Sequence, residues 1–142
     1  MEAQQLHRGR LIDHVHLIAR DLAASKRFYS AVLGSMGRKI EGEGADFFWS
    51  DELFVSTTAM ATTGATHVHL ALQAPDRSTV DRFHAAGLAA GGKDHGKPGV
   101  RAEYHPGYYA AFVLDPDGNN IEAVYHGEAQ RSADSVVISF TA

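Results

Sequence analysis

The tetrapeptide His-Val-His-Leu occurs twice in this chain, at residues 14–17 and again at residues 67–70. Each copy is followed by an aspartate, Asp21 or Asp76, and by an amphipathic stretch that carries the pair Arg-Phe. This order predicts a strand and then a helix capped by the aspartate in each half of the chain. We therefore expect one structural unit used twice, with pairs of histidines at matching places.

Both repeats alternate in the manner of a strand that is buried on one side. The two-residue period places His14 and His16 on one face of the first strand, with hydrophobic residues on the other face. The second repeat places His67 and His69 together in the same way. Four histidines that a duplicated fold brings together are suited to metal binding or to acid–base chemistry.

The rest of the chain extends the repeat into two modules of strand, helix and three further strands. The first module is predicted over residues 11–60 and the second over residues 66–126, which gives an α+β fold of two βαβββ modules in one domain. The tetrapeptide Asp-Pro-Asp-Gly at residues 115–118 predicts the turn before the last strand. Residues 127–142 form a tail in which residues 136–140 are predicted as an edge strand.

The composition of the chain excludes several classes of function. The chain has 142 residues, a formal net charge of −4, no run of Lys and Arg, and no cysteine. These features argue against a nucleic-acid or membrane-surface partner and exclude disulfides and cysteine nucleophiles. The polar first ten residues do not read as a signal peptide, and no apolar stretch is long enough to span a membrane, so we expect a cytoplasmic protein.

Three segments together resemble the vicinal oxygen chelate superfamily, which includes glyoxalase I, the bleomycin-resistance proteins, the fosfomycin-resistance transferases and the extradiol dioxygenases. They are Ile12-Asp13-His14-Val15 with Asp21-Leu22 and Phe28-Tyr29, Thr66-His67-Val68, and Asp115-Pro116-Asp117-Gly118-Asn119-Asn120-Ile121-Glu122. The resemblance covers roughly residues 11–126 and rests on the order and spacing of these segments. It implies a curved mixed sheet around an open cleft.

The resemblance also implies a metal site. In metal-using members, a histidine on the first strand of each module and a glutamate on the last strand bind one divalent ion. Carried over to this chain, the ligands are His14, His67 and Glu122, and the ion is Fe, Mn, Zn or Ni. Two histidines and one carboxylate leave coordination positions open for a substrate, and a metal there polarises a bound oxygen.

Two departures argue against glutathione-linked glyoxalase activity. Glyoxalase I uses a second glutamate on the last strand of its first module, whereas Glu52 here stands only at the start of that strand. Glyoxalase I also places an arginine two inward positions beyond its first histidine, where this chain has Ile18.

Six other residues are candidates for the lining of the cleft. His16 and His69, the second histidine of each repeat, are expected to move protons or to support the metal, although a structural role is equally compatible with their positions. A tyrosine-rich loop before the penultimate strand and an aromatic residue of the first module are expected to contact substrate or to join the core. The predicted catalytic residues are His16, His69 and Tyr109, and the predicted substrate-binding residues are His105, Tyr108 and Phe54.

These observations favour a metal-dependent enzyme that binds a small-molecule ligand and forms a homodimer. The reaction is expected to be a lyase or isomerase step through an enolate, or dioxygenase chemistry on a catechol-like substrate. Two alternatives stay open at this point. One is a ligand- or antibiotic-binding protein without catalysis, and the other is a fosfomycin-type thiol transferase.

Overall fold

The structure is a computed structural model that describes residues 5–8, 12–57, 64–130 and 136–139. The first module contains β2 (Val15–Ala19), α1 (Leu22–Ser35), β3 (Gly42–Glu43), β4 (Phe47–Ser50) and β5 (Leu53–Thr57). The second contains β6 (His69–Gln73), α2 (Arg77–Ala89), β7 (Lys93–Val100), β8 (Tyr109–Leu114) and β9 (Asn120–Tyr125). The remaining strands are β1 (Gln5–Arg8) and β10 (Val136–Ser139).

Each module folds into one four-stranded mixed sheet with one helix. The strand orders are β2-β5-β4-β3 and β6-β9-β8-β7, so the two sheets share one topology. In each sheet the first strand runs parallel to the last, and the other neighbours are antiparallel. The predicted α+β fold of two βαβββ modules is confirmed. The first of the three further strands in the first module is very short, since β3 covers only Gly42–Glu43.

A third, two-stranded sheet joins the two ends of the described chain. Strand β10 lies in the segment where an edge strand was predicted, and it pairs antiparallel with β1 from Gln5↔Ser139 to Arg8↔Val136. Nothing in the polar amino-terminal sequence predicted β1, because its four residues lack a clear two-residue pattern.

Both helices begin at the aspartates that mark the repeat. The Asp21 side chain accepts a hydrogen bond from the backbone N–H of Ala24 at 3.1 Å, and Asp76 accepts one from the backbone N–H of Thr79 at 2.7 Å. Each bond satisfies a backbone donor that the first turn leaves free. Neither of these described helices has the length and apolar character needed to cross a membrane.

One hydrophobic core serves both modules. The helices pack on one side of the sheets, and the buried side chains of the two modules form a single cluster that includes Phe28, Val32, Val55, Phe83, Val113 and Ile121. Because β2 gives Val15, Leu17 and Ala19 to this core, its other face carries His16 and Ile18. This orientation agrees with the predicted alternation, and it leaves one face of each sheet directed away from the helices.

Polar contacts hold the modules together beside that core. The buried hydroxyl of Tyr29 in α1 donates to Asp115 Oδ2 at 2.6 Å, at the end of β8. Asp115 also accepts from Asn119 Nδ2 and from two backbone N–H groups of its own turn. The backbone N–H of Thr66 donates to Ile18 O at 3.1 Å, which joins β2 to the segment before β6. The segment that leads into β6 therefore lies beside β2.

Candidate functional site

Glu122 lies at the centre of the open face of the second sheet. It stands on β9 between Ala71 of β6 and Phe112 of β8, and only 1% of its surface is exposed. Its Oε1 is 2.8 Å from His69 Nε2, and its Oε2 accepts a hydrogen bond from the Tyr108 hydroxyl. A buried carboxylate is costly unless it is paired in this way, so the fold holds Glu122 through specific partners.

Tyr108 is positioned to keep its proton. Burial raises the pKa of its phenol to about 12, with further contributions from the hydrogen bond to Glu122 and from the charge of that carboxylate. At neutral pH the hydroxyl therefore stays protonated and acts as a donor. Tyr108 lies in the tyrosine-rich loop that the sequence analysis singled out. Its hydroxyl donates to Glu122, the carboxylate predicted as a metal ligand.

A pair of histidines supports the ring of Tyr108. His105 Nε2 lies 2.9 Å from His126 Nδ1, and the backbone N–H of Gly107 donates to His105 Nδ1 at 3.1 Å. The Tyr108 ring meets both imidazoles edge-on, with centroids 5.5 Å and 5.2 Å away. Since Nδ1 of His105 accepts, its Nε2 carries the proton and donates to His126. This network connects the loop to the end of β9.

His69 is exposed on one side and anchored on the other. Its side chain is 54% exposed, although its Nε2 contacts the buried Glu122. Beyond it, a groove of about 380 Å³ is lined by His67, His69, His95 and Asn120, among other residues. The two histidines of the second repeat therefore lie in one groove, and His69 is the one that hydrogen-bonds to Glu122.

The first module repeats this contact with a neutral partner. His16 Nε2 lies 2.7 Å from Ser56 Oγ. In the parallel register His16 pairs with Phe54 and His69 pairs with Asn120, so each histidine contacts the residue two positions beyond its partner. Ser56 is therefore the counterpart of Glu122 in the first sheet.

Aromatic rings cover the remainder of that first open face. Phe47 of β4 and Phe54 of β5 stack with centroids 5.4 Å apart, and the His16 ring meets Phe54 edge-on at 4.9 Å. The indole of Trp49 lies over Gly42 of β3. A Cβ built on Gly42 would come within 2.1 Å of the indole nitrogen. Phe48, next in sequence to two of these rings, points to the opposite face and is a core residue.

Comparison with known proteins identifies the family. The model of the Glyoxalase/Bleomycin resistance protein/Dioxygenase superfamily matches residues 11–123, which span both modules. The chain belongs to this superfamily. The resemblance inferred from the three sequence segments is thereby confirmed. No curated protein matches the chain.

Solved structures of superfamily members share the fold. A glyoxalase/bleomycin resistance protein from Albidiferax ferrireducens T118 is 34% identical, with a TM-score of 0.68, and the match covers 79% of this chain and 96% of that one. A glyoxalase-related enzyme from Fulvimarina pelagi is 22% identical, with a TM-score of 0.66 and coverage of 94% and 100%. A lactoylglutathione lyase from Agrobacterium tumefaciens is 20% identical, with a TM-score of 0.62 and coverage of 82% and 93%.

Within this superfamily fold, two other predicted site residues, His14 and Tyr109, contact carboxylates other than Glu122. The side chain of His14 is exposed, and its Nδ1 contacts Asp13 Oδ1 at 2.7 Å. Tyr109 points to the helix side of its sheet, where its hydroxyl donates to Asp81 of α2 at 2.6 Å. Tyr108, its neighbour, is the tyrosine that faces Glu122.

The metal ligands that the superfamily implies are not assembled within one chain. Among the described residues, no three His, Asp or Glu side chains are gathered closely enough to hold an ion. The chemistry of the donors nevertheless suits a divalent metal, because each oxygen of Glu122 has one hydrogen-bond partner and keeps a second lone pair. The set His14, His67 and Glu122 stays a prediction.

Sequence reasoning missed two residues that belong to these sites. His126 had no motif around it, and its contact with His105 follows from the close approach of a loop to the end of β9. Ser56 stands among apolar and hydroxyl residues on its strand, so no local motif singles it out. The repeat itself held the signal, since Ser56 stands where the second module has Glu122.

Proposed function

We propose that this protein is a metal-dependent enzyme that moves a proton on a small, oxygen-chelating substrate bound at the open face of the second sheet. The observation that carries the proposal is the buried carboxylate of Glu122, held between His69 and Tyr108. A fold gains no stability from burying an acid unless its partners repay the loss of hydration. Such an arrangement is typical of a functional site.

His69 is suited to the proton transfer. A carboxylate only accepts hydrogen bonds, so the contact with Glu122 requires the proton on His69 Nε2. The lone pair of Nδ1 then faces outward from a side chain that is 54% exposed. Glu122 fixes the orientation and the tautomer of this imidazole.

The metal in this proposal is held by Glu122, His67 and His14. When bound, it polarises the substrate oxygen and so acidifies the neighbouring carbon. Because the described residues of one chain do not bring three such ligands together, we propose that a second copy supplies His14 and that the enzyme works as a homodimer. The reaction class is a lyase or isomerase step.

A second candidate is dioxygenase chemistry on a catechol-like substrate. The specific observation in its favour is the aromatic surface of Phe47, Trp49 and Phe54 beside His16. Oxygen consumption by the iron-loaded protein with catechol, measured against the manganese- and nickel-loaded forms, distinguishes this candidate from proton transfer.

Metal content tests the proposal directly. The parent protein, reconstituted separately with Fe, Mn, Zn and Ni, is measured by mass spectrometry beside His14→Ala, His67→Ala and Glu122→Gln. We expect near-stoichiometric metal in the parent and its loss in all three variants. His95→Ala, which changes another histidine of the same groove, is the matched control and keeps its metal. Failure of the parent to take up any of the four ions contradicts the proposal.

Mixed dimers test the contribution of a second chain. Neither His14→Ala nor Glu122→Gln binds metal alone, but co-expression of the two gives dimers with one intact site, if His14 comes from the other chain. We expect metal to return in the purified mixed dimer. Mixed dimers that stay empty contradict the shared site, because ligands from one chain cannot complement in this way.

A further inference from the structure

An arginine lies on the open face of the second sheet, the face that also carries Glu122. Arg101 follows β7, and its guanidinium carbon Cζ lies 5.4 Å from the centre of the Phe112 ring. Phe112 pairs with Glu122 across β8 and β9, and its ring is centred 5.9 Å from that of His69, so it lies on the open face. The cation and the proposed active site therefore share one surface.

Strand β7 is shaped to leave room for this guanidinium. Its pairing with β8 shifts register on both sides of Gly96, from Asp94 to Gly96 and again from Gly96 to Gly99. A Cβ at Gly99 would come within 3.0 Å of Arg101 Nη1. A Cβ at Gly96 would come within 3.3 Å of Arg101 Nη2 and within 2.7 Å of the Phe112 ring. A side chain at either glycine would therefore crowd the arginine out of its place.

The guanidinium has no carboxylate partner among the residues that the structure describes. The side chain is half-buried, and Nη2 donates a hydrogen bond to the backbone oxygen of Lys97 at 2.7 Å. Because an arginine carries five N–H donors, most of them remain available to a ligand. Burial, Glu122 and Tyr104 all raise the pKa of Tyr108, whereas the charge of Arg101 lowers it. The cation thus acts electrostatically on the site around Glu122.

A carboxylate is the anion that best matches a single planar guanidinium. Two N–H groups of the fork pair with the two carboxylate oxygens in one plane, and the Phe112 ring supports the guanidinium from one side. A phosphate monoester carries nearly two negative charges at neutral pH, which is more than one guanidinium neutralises. The chemistry of Arg101 therefore favours a carboxylic acid.

The strand register indicates where this carboxylate lies on the ligand. Gly96, Phe112 and Glu122 lie side by side on three neighbouring strands. Two strand spacings place Gly96 roughly 10 Å from Glu122. A substrate that reaches both positions carries its carboxylate at the opposite end from the oxygens bound at Glu122.

We propose that Arg101 is a substrate-binding residue that pairs with a carboxylate at the far end of the substrate, over the Phe112 ring and beside Gly96 and Gly99. The substrate is then an acid whose charged group is separate from its chelating oxygens. This substrate class rests on the proposed function, but the pairing of Arg101 with a carboxylate requires no metal.

Binding to the metal-free protein tests the proposal. The protein is titrated with cyclohexanecarboxylate and with cyclohexanecarboxamide, a neutral probe of nearly the same shape, while the backbone amide resonances of Gly96 and Gly99 are followed. We expect the acid to shift both resonances saturably and to bind at least roughly tenfold more tightly than the amide, the gain from one hydrogen bond to a charged group. Inorganic phosphate, the third probe, should bind more weakly than the acid.

Variants separate Arg101 from a general effect of charge. Arg101→Gln should abolish the preference for the acid and leave the binding of the amide as it is. Arg101→Lys keeps the charge without the planar fork, so it should retain only part of the preference. Arg77→Gln is the matched control, because Arg77 stacks on Tyr109 at 4.8 Å on the helix side of the same sheet. Its loss changes the net charge equally and should keep the full preference.

Five outcomes overturn the proposal. They are no saturable shift with the acid, equal affinity for the acid and the amide, tighter binding of phosphate than of the acid, an unchanged preference in folded Arg101→Gln, or an equal loss of preference in Arg77→Gln. A carboxylate of a second copy that already occupies Arg101 would produce the first of these outcomes. Because every titration uses metal-free protein, failure of this proposal and failure of the metal proposal are separate results.

Discussion

At the scale of single residues, Glu122 shows how the fold keeps a charged group in its interior. The carboxylate is fully buried, and one of its two partners is the hydroxyl of Tyr108. Tyr108→Phe removes that donor and leaves Oε2 of Glu122 without its hydrogen bond. We expect the free energy of unfolding to fall by about 1–3 kcal/mol, the cost of an unsatisfied buried group, as measured by urea titration.

A neighbouring tyrosine provides the control for this change. Tyr104 is 63% exposed, and its ring packs on Tyr108 at 4.8 Å. Removing its hydroxyl should change the stability by less than about 0.5 kcal/mol, as for other surface substitutions. Equal losses in Tyr104→Phe and Tyr108→Phe would show that the bond to Glu122 contributes nothing specific.

Ionisation of Tyr29 is expected to lower the stability of the protein at alkaline pH. Burial raises its pKa well above the ordinary value of 10.0, and the charge of Asp115 raises it further. The fold thus favours the neutral phenol, so this stability is complete below about pH 10 and is lost as the pH rises further. Unfolding in urea at neutral pH and at about pH 11 should show a smaller alkaline loss in Tyr29→Phe than in the parent. An equal loss would remove Tyr29 as a cause.

At the scale of elements, the end of α2 meets α1 and β8 at a glycine. A Cβ at Gly92 would lie 2.5 Å from Val113, 2.7 Å from the Phe28 ring and 2.8 Å from the backbone oxygen of Gly87. Gly92→Ala should therefore destabilise the protein by about 1–3 kcal/mol through overpacking. Thermal unfolding followed by circular dichroism measures this loss.

Gly34 tests the same substitution where space is available. It lies within α1, and a Cβ built there meets no atom within 4 Å apart from the adjacent backbone of its own helix. Gly34→Ala should stabilise the protein by about 0.5–1 kcal/mol, because alanine loses less backbone entropy in a helix. If both variants lose stability, helix propensity is not the deciding factor and the packing argument for Gly92 is weakened.

The elements were predictable from sequence because their signals are local. Alternation gave β2 and β6, and the aspartates Asp21 and Asp76 marked the starts of the helices. The contact between His69 and Glu122 was not predictable in the same way. The repeat offers two histidines, His67 just before β6 and His69 as its first residue, and the choice between them depends on the register between two strands that are distant in sequence. Alternation likewise separates Tyr108 from Tyr109 without indicating which one faces the carboxylate.

At the scale of the whole molecule, the shared core makes the two modules one cooperative unit. Ile121 of the second sheet packs in the same cluster as Phe28 and Val55 of the first module. Ile121→Ala should lower the stability by about 2–5 kcal/mol. Trp49, in the first module, should report that loss through its fluorescence as fully as circular dichroism reports it for the whole chain.

Independent unfolding of the modules would give a different result. Trp49 fluorescence would then keep the midpoint of the parent, while circular dichroism would show a second, earlier transition. Val55→Ala, the matching change in the first sheet, controls for a general effect of cavities in this core. If the modules are coupled, its two signals should move together, whereas with independent modules Trp49 fluorescence should follow only the earlier of two transitions seen by circular dichroism.

The matching register of the two histidine contacts is the pattern that duplication of a single module would leave. A single ancestral module that paired with an identical copy would have carried the same histidine contact on both sheets, because twofold symmetry allows no difference between them. Fusion of the two copies into one gene removed that constraint. Serine and glutamate then diverged at the equivalent positions 56 and 122. Two modules in one chain thus have sheet faces whose side chains can change independently, whereas a symmetric pair of identical modules has one face repeated.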